Sequence, residues 1–439
     1  MKTAIRADLL DFTAAPLWGS SAMHGVRWRP DHWLLLDRGR IAAALPGAQP
    51  PGDDWQREDQ RGRLLMPGFI DSHVHCPQLD VIASYGTGLL DWLDTYTFPA
   101  ERRFAEPAAA EAGAALFLDA LLAHGTTSAV VFPTVHAVSA DRLFAAAQAR
   151  GMALVAGKVL MDRHAPDGLR DDVAGAERDC EDLIARWHGQ GRCRYAVTVR
   201  FAATSTREQL AMAGELLRRH PGLYMQTHVA ENTDEVKWVA QLFPEARSYL
   251  DVYQRHGLLN ERAVLAHGIW LDAHDRALLH ASGAQIAFCP TSNLFLGSGL
   301  FDWQAAIDSG HRVSMASDVG GGTSLSMLKT LAEGYKVQAL RGCRLSAWTA
   351  LHAATRGAAE ALGLDGEIGH LDNGASADLV LWDWAQGDVA AHRDRVARGD
   401  VPGLAAQDLH ARVFAWMMLG DERNVAATWV AGQPRHRKA

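Results

Sequence analysis

From about residue 67 onward, short apolar runs alternate with Ala/Leu/Arg-rich stretches of helical spacing, the rhythm of βα units on a parallel sheet. Eight runs read as strands: Leu64–Ile70, Thr127–Phe132, Ala153–Leu160, Tyr195–Val199, Leu223–Thr227, Ala263–Ala266, Gln285–Phe288 and Val313–Ala316. Helices such as Ala108–Ala123, Arg207–Arg219 and Asp272–Ala281 lie between them. Eight βα units favour a closed (β/α)8 barrel of the TIM type over an open sheet. Residues 1–66 read instead as short strands and turns, interrupted by Gly39, Gly47, Gly52, Pro46, Pro50 and Pro51. Strand-like pieces return near the C-terminus at Asp378–Leu381 and Val425–Val430. The expected fold is thus α/β. A barrel spans 67–369, and residues 1–66 and 370–439 pair into a small β-sandwich domain. The segment Ser84–Phe104 exceeds an ordinary βα loop and carries Tyr85, Trp92, Tyr96, Phe98 and Phe104. Such a loop serves either as a lid or as a clamp for a helix, and the pattern allows both.

Composition narrows the setting. Of 439 residues 48% are hydrophobic, ample for a barrel and a smaller domain. The net charge of −8 argues against a nucleic-acid backbone or an anionic membrane as partner. No run approaches the ~20 apolar residues of a membrane helix. Asp8 and Asp11 interrupt any apolar signal core at the start. Cys76, Cys180, Cys193, Cys289 and Cys343 are scattered without a C-x-x-C, which fits a reducing compartment. A soluble cytoplasmic enzyme is the expectation.

Barrel chemistry is placed at the C-terminal ends of the strands. After the first strand come His73 and His75, one residue apart on extended chain, so both imidazoles point the same way. The fifth strand ends in His228, followed by Glu231; the sixth ends in His267; the eighth ends in Ser317-Asp318. Imidazoles and a carboxylate gathered in this manner suit a zinc site with one position open for water. The fourth strand tip reads Val199-Arg200-Phe201, with no lysine that could bridge a second metal ion. Lys158 lies in the third strand, so a single metal is expected. His124, His188, His220, His274, His280 and His352 read as packing or surface residues, and His136 and His164 keep an open pocket role.

These residues resemble the amidohydrolase superfamily through Pro67–His75, His228, His267 and Asp318. Longer strings resemble its guanine deaminases: His75–Gln78, Leu89–Leu93, Tyr96–Glu101, Arg200-Phe201, Phe288–Gly299 and Ser317–Thr323. Thr87-Gly88 and His164 depart from that pattern. The resemblance implies that His73, His75, His228 and Asp318 bind one zinc ion. It makes Glu231 the proton shuttle and sets His267, with Asp318, to orient the attacking water. His75, Gln78, Trp92, Arg200, Phe201 and His228 would surround the purine, with Gln78, Arg200 and the Phe201 backbone holding it. It also suggests a homodimer.

The implied reaction adds hydroxide to C2 of guanine while Glu231 protonates N3 and later the departing amine, giving xanthine and ammonia. Arg200 only donates hydrogen bonds, so it accepts the O6 of guanine and rejects the amino group of adenine. Gln78 donates and accepts, which suits a mixed purine edge. The H-x-E and P-C-x-x-C signature of the cytidine-deaminase type is absent. Rival readings are other single-metal amidohydrolases, acting on triazines, cytosine or S-adenosylhomocysteine, and a metal-free scaffold.

Overall fold

Gly68 is where the chain passes from one sheet into another. It separates the strands Gln56–Pro67 and Phe69–His75, which belong to different sheets. A Cβ at Gly68 would lie 2.2 Å from Thr127 Oγ1, so the close approach admits only glycine. The expected strand Leu64–Ile70 is therefore the tail of one strand and the head of the next. His73 and His75 consequently stand inside the first barrel strand, whose seven residues are all buried. The computed structural model describes residues 2–85 and 88–438, and Thr87 lies outside them.

The chain ends form one seven-stranded sheet, ordered Gln433–Arg437, Val425–Val430, Leu379–Trp382, Gln56–Pro67, Lys2–Phe12, Val26–Asp37 and Arg40–Pro46. Lys2–Phe12 runs parallel to Gln56–Pro67, and the other neighbours are antiparallel. Alternation along the strands buries both faces. Leu34 and Leu36 join a core with Ile5, Leu65, Leu381 and Trp429, while Trp33 and Leu35 pack with Ala4 on the opposite side. This sheet belongs to a compact unit comprising Met1–Ile70, Asp119–Ser128 and Ser326–Ala439.

The second unit, Asp71–Leu118 and Ala129–Leu325, holds the C-terminal ends of the barrel strands. The strands follow one another in chain order: Phe69–His75, Thr126–Phe132, Ala153–Ala156, Cys193–Val199, Tyr224–Val229, Ala263–His267, Gln285–Phe288 and Arg312–Met315. A short piece, Val159–Leu160, continues the third strand along Cys193–Val199. Closure is made just beyond the eighth strand. There Asp318 donates its backbone N–H to His73 O at 2.9 Å, and His75 donates to Val319 O at 2.8 Å.

The helices form where capping and burial agree. Arg207–Arg219 starts at Thr206, whose hydroxyl accepts from Gln209 N at 3.2 Å, and buries Leu210, Ala213 and Leu216. Glu208 in its first turn and Arg218 and Arg219 in its last match the helix dipole. Asp272 caps Ala273–Ser282 in the same way. Between the first strand and Pro107–Ala123, helical turns run through Leu89–Trp92, Leu93–Thr97, Phe98–Arg102 and Arg103–Ala105. Trp92, Phe98 and Phe104 are buried there, whereas Tyr85 is 84% exposed.

Candidate active site

Strand alternation places His73 and His75 on one side of the first barrel strand. Their Nε2 atoms lie 3.2 Å apart, and each lies 3.2 Å from Asp318 Oδ1. His228, from the fifth strand, brings its Nε2 to 3.2 Å from that of His75. One donor atom from each of these four residues falls within 4.8 Å of every other. His228 Nδ1 is 2.6 Å from the Arg200 carbonyl, which fixes the proton on Nδ1 and turns the Nε2 lone pair into the cluster. Three imidazole nitrogens and a carboxylate converging away from water, with one tautomer set from behind, suit a metal ion.

Asp318 is held where it is by backbone it could not choose freely. It sits at φ 50°, in the left-handed region, with its N–H on His73 O and its carbonyl accepting from Gly322 N. A Cβ on Gly322 would meet Ser317 O at 1.8 Å, so the turn requires glycine. Asp71 braces the same loop, accepting from Ser317 N at 3.0 Å and from the Ser317 hydroxyl. Ala230 and His267 also have positive φ, at 47° and 71°. Three of the strand ends that carry the site thus hold strained backbone.

Burial and charge set the protonation of the cluster. Burial lowers the pKa of His73, and brings that of His75 down to about 3. His228 falls well below the ordinary range, through burial and then the neighbouring His73 and His75. Burial pushes Asp318 upward, but the hydrogen bond from His73 and the charges around it win and hold it well below the carboxylate range. Glu231 goes the other way, pushed up to about 7 chiefly by burial. Burial lowers His267, but the Glu231 and Asp318 charges outweigh it and raise its pKa.

A pocket of about 480 Å³ opens beside this cluster. Every residue expected around the purine lines it: His75, Gln78, Trp92, Arg200, Phe201 and His228. Glu231, His267 and Asp318 line it too. Ser298 donates to Glu231 Oε1 at 2.7 Å, while Oε2 lies 3.4 Å from His267 Nε2. His267 Nδ1 is 2.9 Å from Asn293 Oδ1, so its Nδ1–H donates and Nε2 faces Glu231 and Asp318 Oδ2, the latter at 3.7 Å. Trp92 anchors its indole N–H on Ser84 O at 3.2 Å.

The chain belongs to the amidohydrolase family. The match to that family runs from residue 64 to 435. The guanine deaminase of Escherichia coli K12 is 40% identical over 433 residues, covering 98% of this chain and 97% of that one. The solved structure of E. coli guanine deaminase superposes with a TM-score of 0.93 at 39% identity over the whole of both chains. A guanine deaminase from C. acetobutylicum, solved with guanine bound in its active site, gives 0.86 at 25% identity, over 99% of this chain and 100% of its own.

The other sequence candidates lie elsewhere. Lys158 pairs with Asp171 at 2.5 Å, and His164 packs on Trp238. Neither they nor His136 line the pocket. Conversely, the sequence reading gave no role to Asp71, Glu101, Glu235, Asn293 or Ser298. Glu235 is fully legible as a helix start, the third residue of a capping box on Asn232. Its second task appears only in space: Oε2 accepts the backbone N–H of Glu231 at 2.9 Å while Tyr249 donates to Oε1 at 2.6 Å.

Proposed function

We propose that this amidohydrolase is a zinc-dependent guanine deaminase, converting guanine and water to xanthine and ammonia. The observation that carries the reading is that three of the four clustered donors (His75, His228 and Asp318), Glu231 and the pair Gln78/Arg200 line one pocket. The likeness to guanine deaminases supports it across the full chain.

In this reading His73, His75, His228 and Asp318 would hold one zinc ion, which would supply the Lewis acidity that brings the pKa of water to about 7. His267 and Asp318 Oδ2 orient the water for addition to C2. Glu231 takes the water's proton on Oε2 and delivers it to N3; it then takes the remaining proton from the hydroxyl added at C2 and passes it to the departing amine, so that ammonia leaves as the C2 oxo group forms. A carboxyl pushed up to about 7 is matched to giving and taking protons at neutral pH. Trp92 and Phe201 wall the ring. Arg200, donor only, pairs with O6 and would leave two donors facing each other if adenine entered, at a cost of about 1–3 kcal/mol.

The test follows guanine and xanthine by ultraviolet absorbance, with ammonia and bound metal measured on the same sample. Stoichiometric zinc and turnover of guanine over adenine, cytosine and a hydroxytriazine are expected. Glu231→Gln should keep its zinc and lose roughly 10²–10⁴-fold in kcat. A zinc-loaded protein that leaves guanine untouched would overturn the substrate assignment.

No helix among the described residues is long and apolar enough to cross a membrane. All five cysteines are free, which supports a cytoplasmic setting. A homodimer is proposed as the working assembly, and light scattering after gel filtration would refute it by returning the mass of one chain.

A further inference from the structure

Arg200 carries a fixed positive charge in a buried pocket, and its partner is a residue that the reaction scheme does not use. Glu101 lies on Phe98–Arg102 and is 0% exposed. Both its oxygens accept from the same nitrogen of Arg200, Nη1, at 2.9 and 2.8 Å. Nε and Nη2 make no protein hydrogen bond among the described residues, so those donors remain for a ligand. Beneath the guanidinium, the Phe98 ring lies 5.3 Å away. Arg200 is thus neutralised and oriented without spending the edge that reads the substrate.

The same carboxylate orients the second reader. Gln78 donates Nε2 to Glu101 Oε1 at 3.1 Å, and its Oε1 accepts from Gly320 N at 3.3 Å. An ionised carboxylate accepts only, so it tolerates the amide nitrogen of Gln78 and repels the oxygen. The amide therefore has one favourable orientation, with the carbonyl turned away from Glu101. Arg200 then presents donors and Gln78 an ordered amide to one edge of the pocket.

We propose that Glu101 is a specificity-positioning residue: it neutralises Arg200 and locks Gln78, so that the pocket selects a ring edge bearing an oxo group beside N–H. The inference rests on the guanine reading above. The discriminating probe is 2,6-diaminopurine, which keeps the reacting 2-amino group but replaces the oxo group and adjacent N–H by an amino group and a bare nitrogen.

The experiment compares kcat and KM for both purines in the wild type, Glu101→Gln and Glu101→Asp, with zinc content and melting temperature recorded. Glu101→Gln frees the amide of Gln78 to turn. It is expected to lower kcat/KM for guanine ~10–100-fold, mainly through KM, and to narrow the guanine-to-diaminopurine ratio at least ~10-fold. Should that variant not fold, Glu101→Asp carries the test. It keeps the charge, withdraws it by one methylene, and is expected to raise KM and narrow the ratio by a smaller factor. A folded, zinc-loaded variant with the wild-type ratio overturns the proposal. Wild-type protein that does not turn over guanine is a different failure, that of the underlying reading.

Discussion

Glu231 shows how one carboxyl acquires its properties from position alone. Three residues after His228, it is withdrawn from solvent and hydrogen-bonded by Ser298 at 2.7 Å. Burial is the largest influence and takes its pKa from 4.5 to about 7. A folded-state value above the unfolded one means that the native state holds the proton more tightly. Its contribution to stability is therefore present below pH 4.5 and is lost as pH rises toward about 7. At about 1.4 kcal/mol per pH unit, this amounts to about 3 kcal/mol. In metal-free protein, urea titrations should show Glu231→Gln gaining on the wild type by up to that amount between pH 4.5 and 8. A constant offset across the range would contradict the burial argument.

At the scale of elements, the site is made by where strands end and how closely they approach. The sequence read Ala153–Leu160 as one strand, but it breaks between Ala156 and Val159. Gly157 explains the break by proximity rather than by conformational freedom, since a Cβ there would lie 1.8 Å from Ala196 O. Gly157→Ala must push the third strand away from Cys193–Val199. Overpacking of this kind costs about 1–3 kcal/mol, and contact with backbone puts this case at the upper end. The loss should appear in urea unfolding and be accompanied by a fall in kcat, because Arg200 directly follows Cys193–Val199, the strand that the added methyl presses on. Unchanged stability would show that the strands have room to separate. Strand ends were the least legible feature for a related reason. His73, His75, His228 and His267 all lie within strands, one to several residues further along than the apolar runs suggested. Burying a polar side chain toward a shared ion leaves the backbone pairing intact, and hydrophobicity does not register that.

For the whole molecule, the cluster ties the first strand, the fifth strand and the loop after the eighth, which are far apart along the chain and closed into a ring by two backbone hydrogen bonds. A ligand gripping all three favours the native state over the unfolded one. Zinc at about 100 times its dissociation constant should add about 3 kcal/mol of stability. Scanning calorimetry should therefore record a lower melting temperature after chelation and its return with zinc. Asp318→Ala should abolish that response. A melting temperature indifferent to zinc in the wild type would deny the cluster its role as a metal site.

Residue identity along the chain determined the barrel, the return of the C-terminus to strands and the residue types at the strand tips, and the resemblance added part of the pocket lining, without Leu93, Glu235, Leu296 or Gly321. Residue identity did so because periodicity reports burial, and because His, Asp and Arg at strand tips have few structural uses. Tertiary structure alone decided what faces what. Glu101 and Arg200 are 99 positions apart, and Asp71 and Ser317 are 246 apart. Nothing in either local sequence announces its partner, since a buried ion pair needs only that two chain segments be brought within reach. The sheet path and barrel closure perform that service, and they are properties of the entire fold.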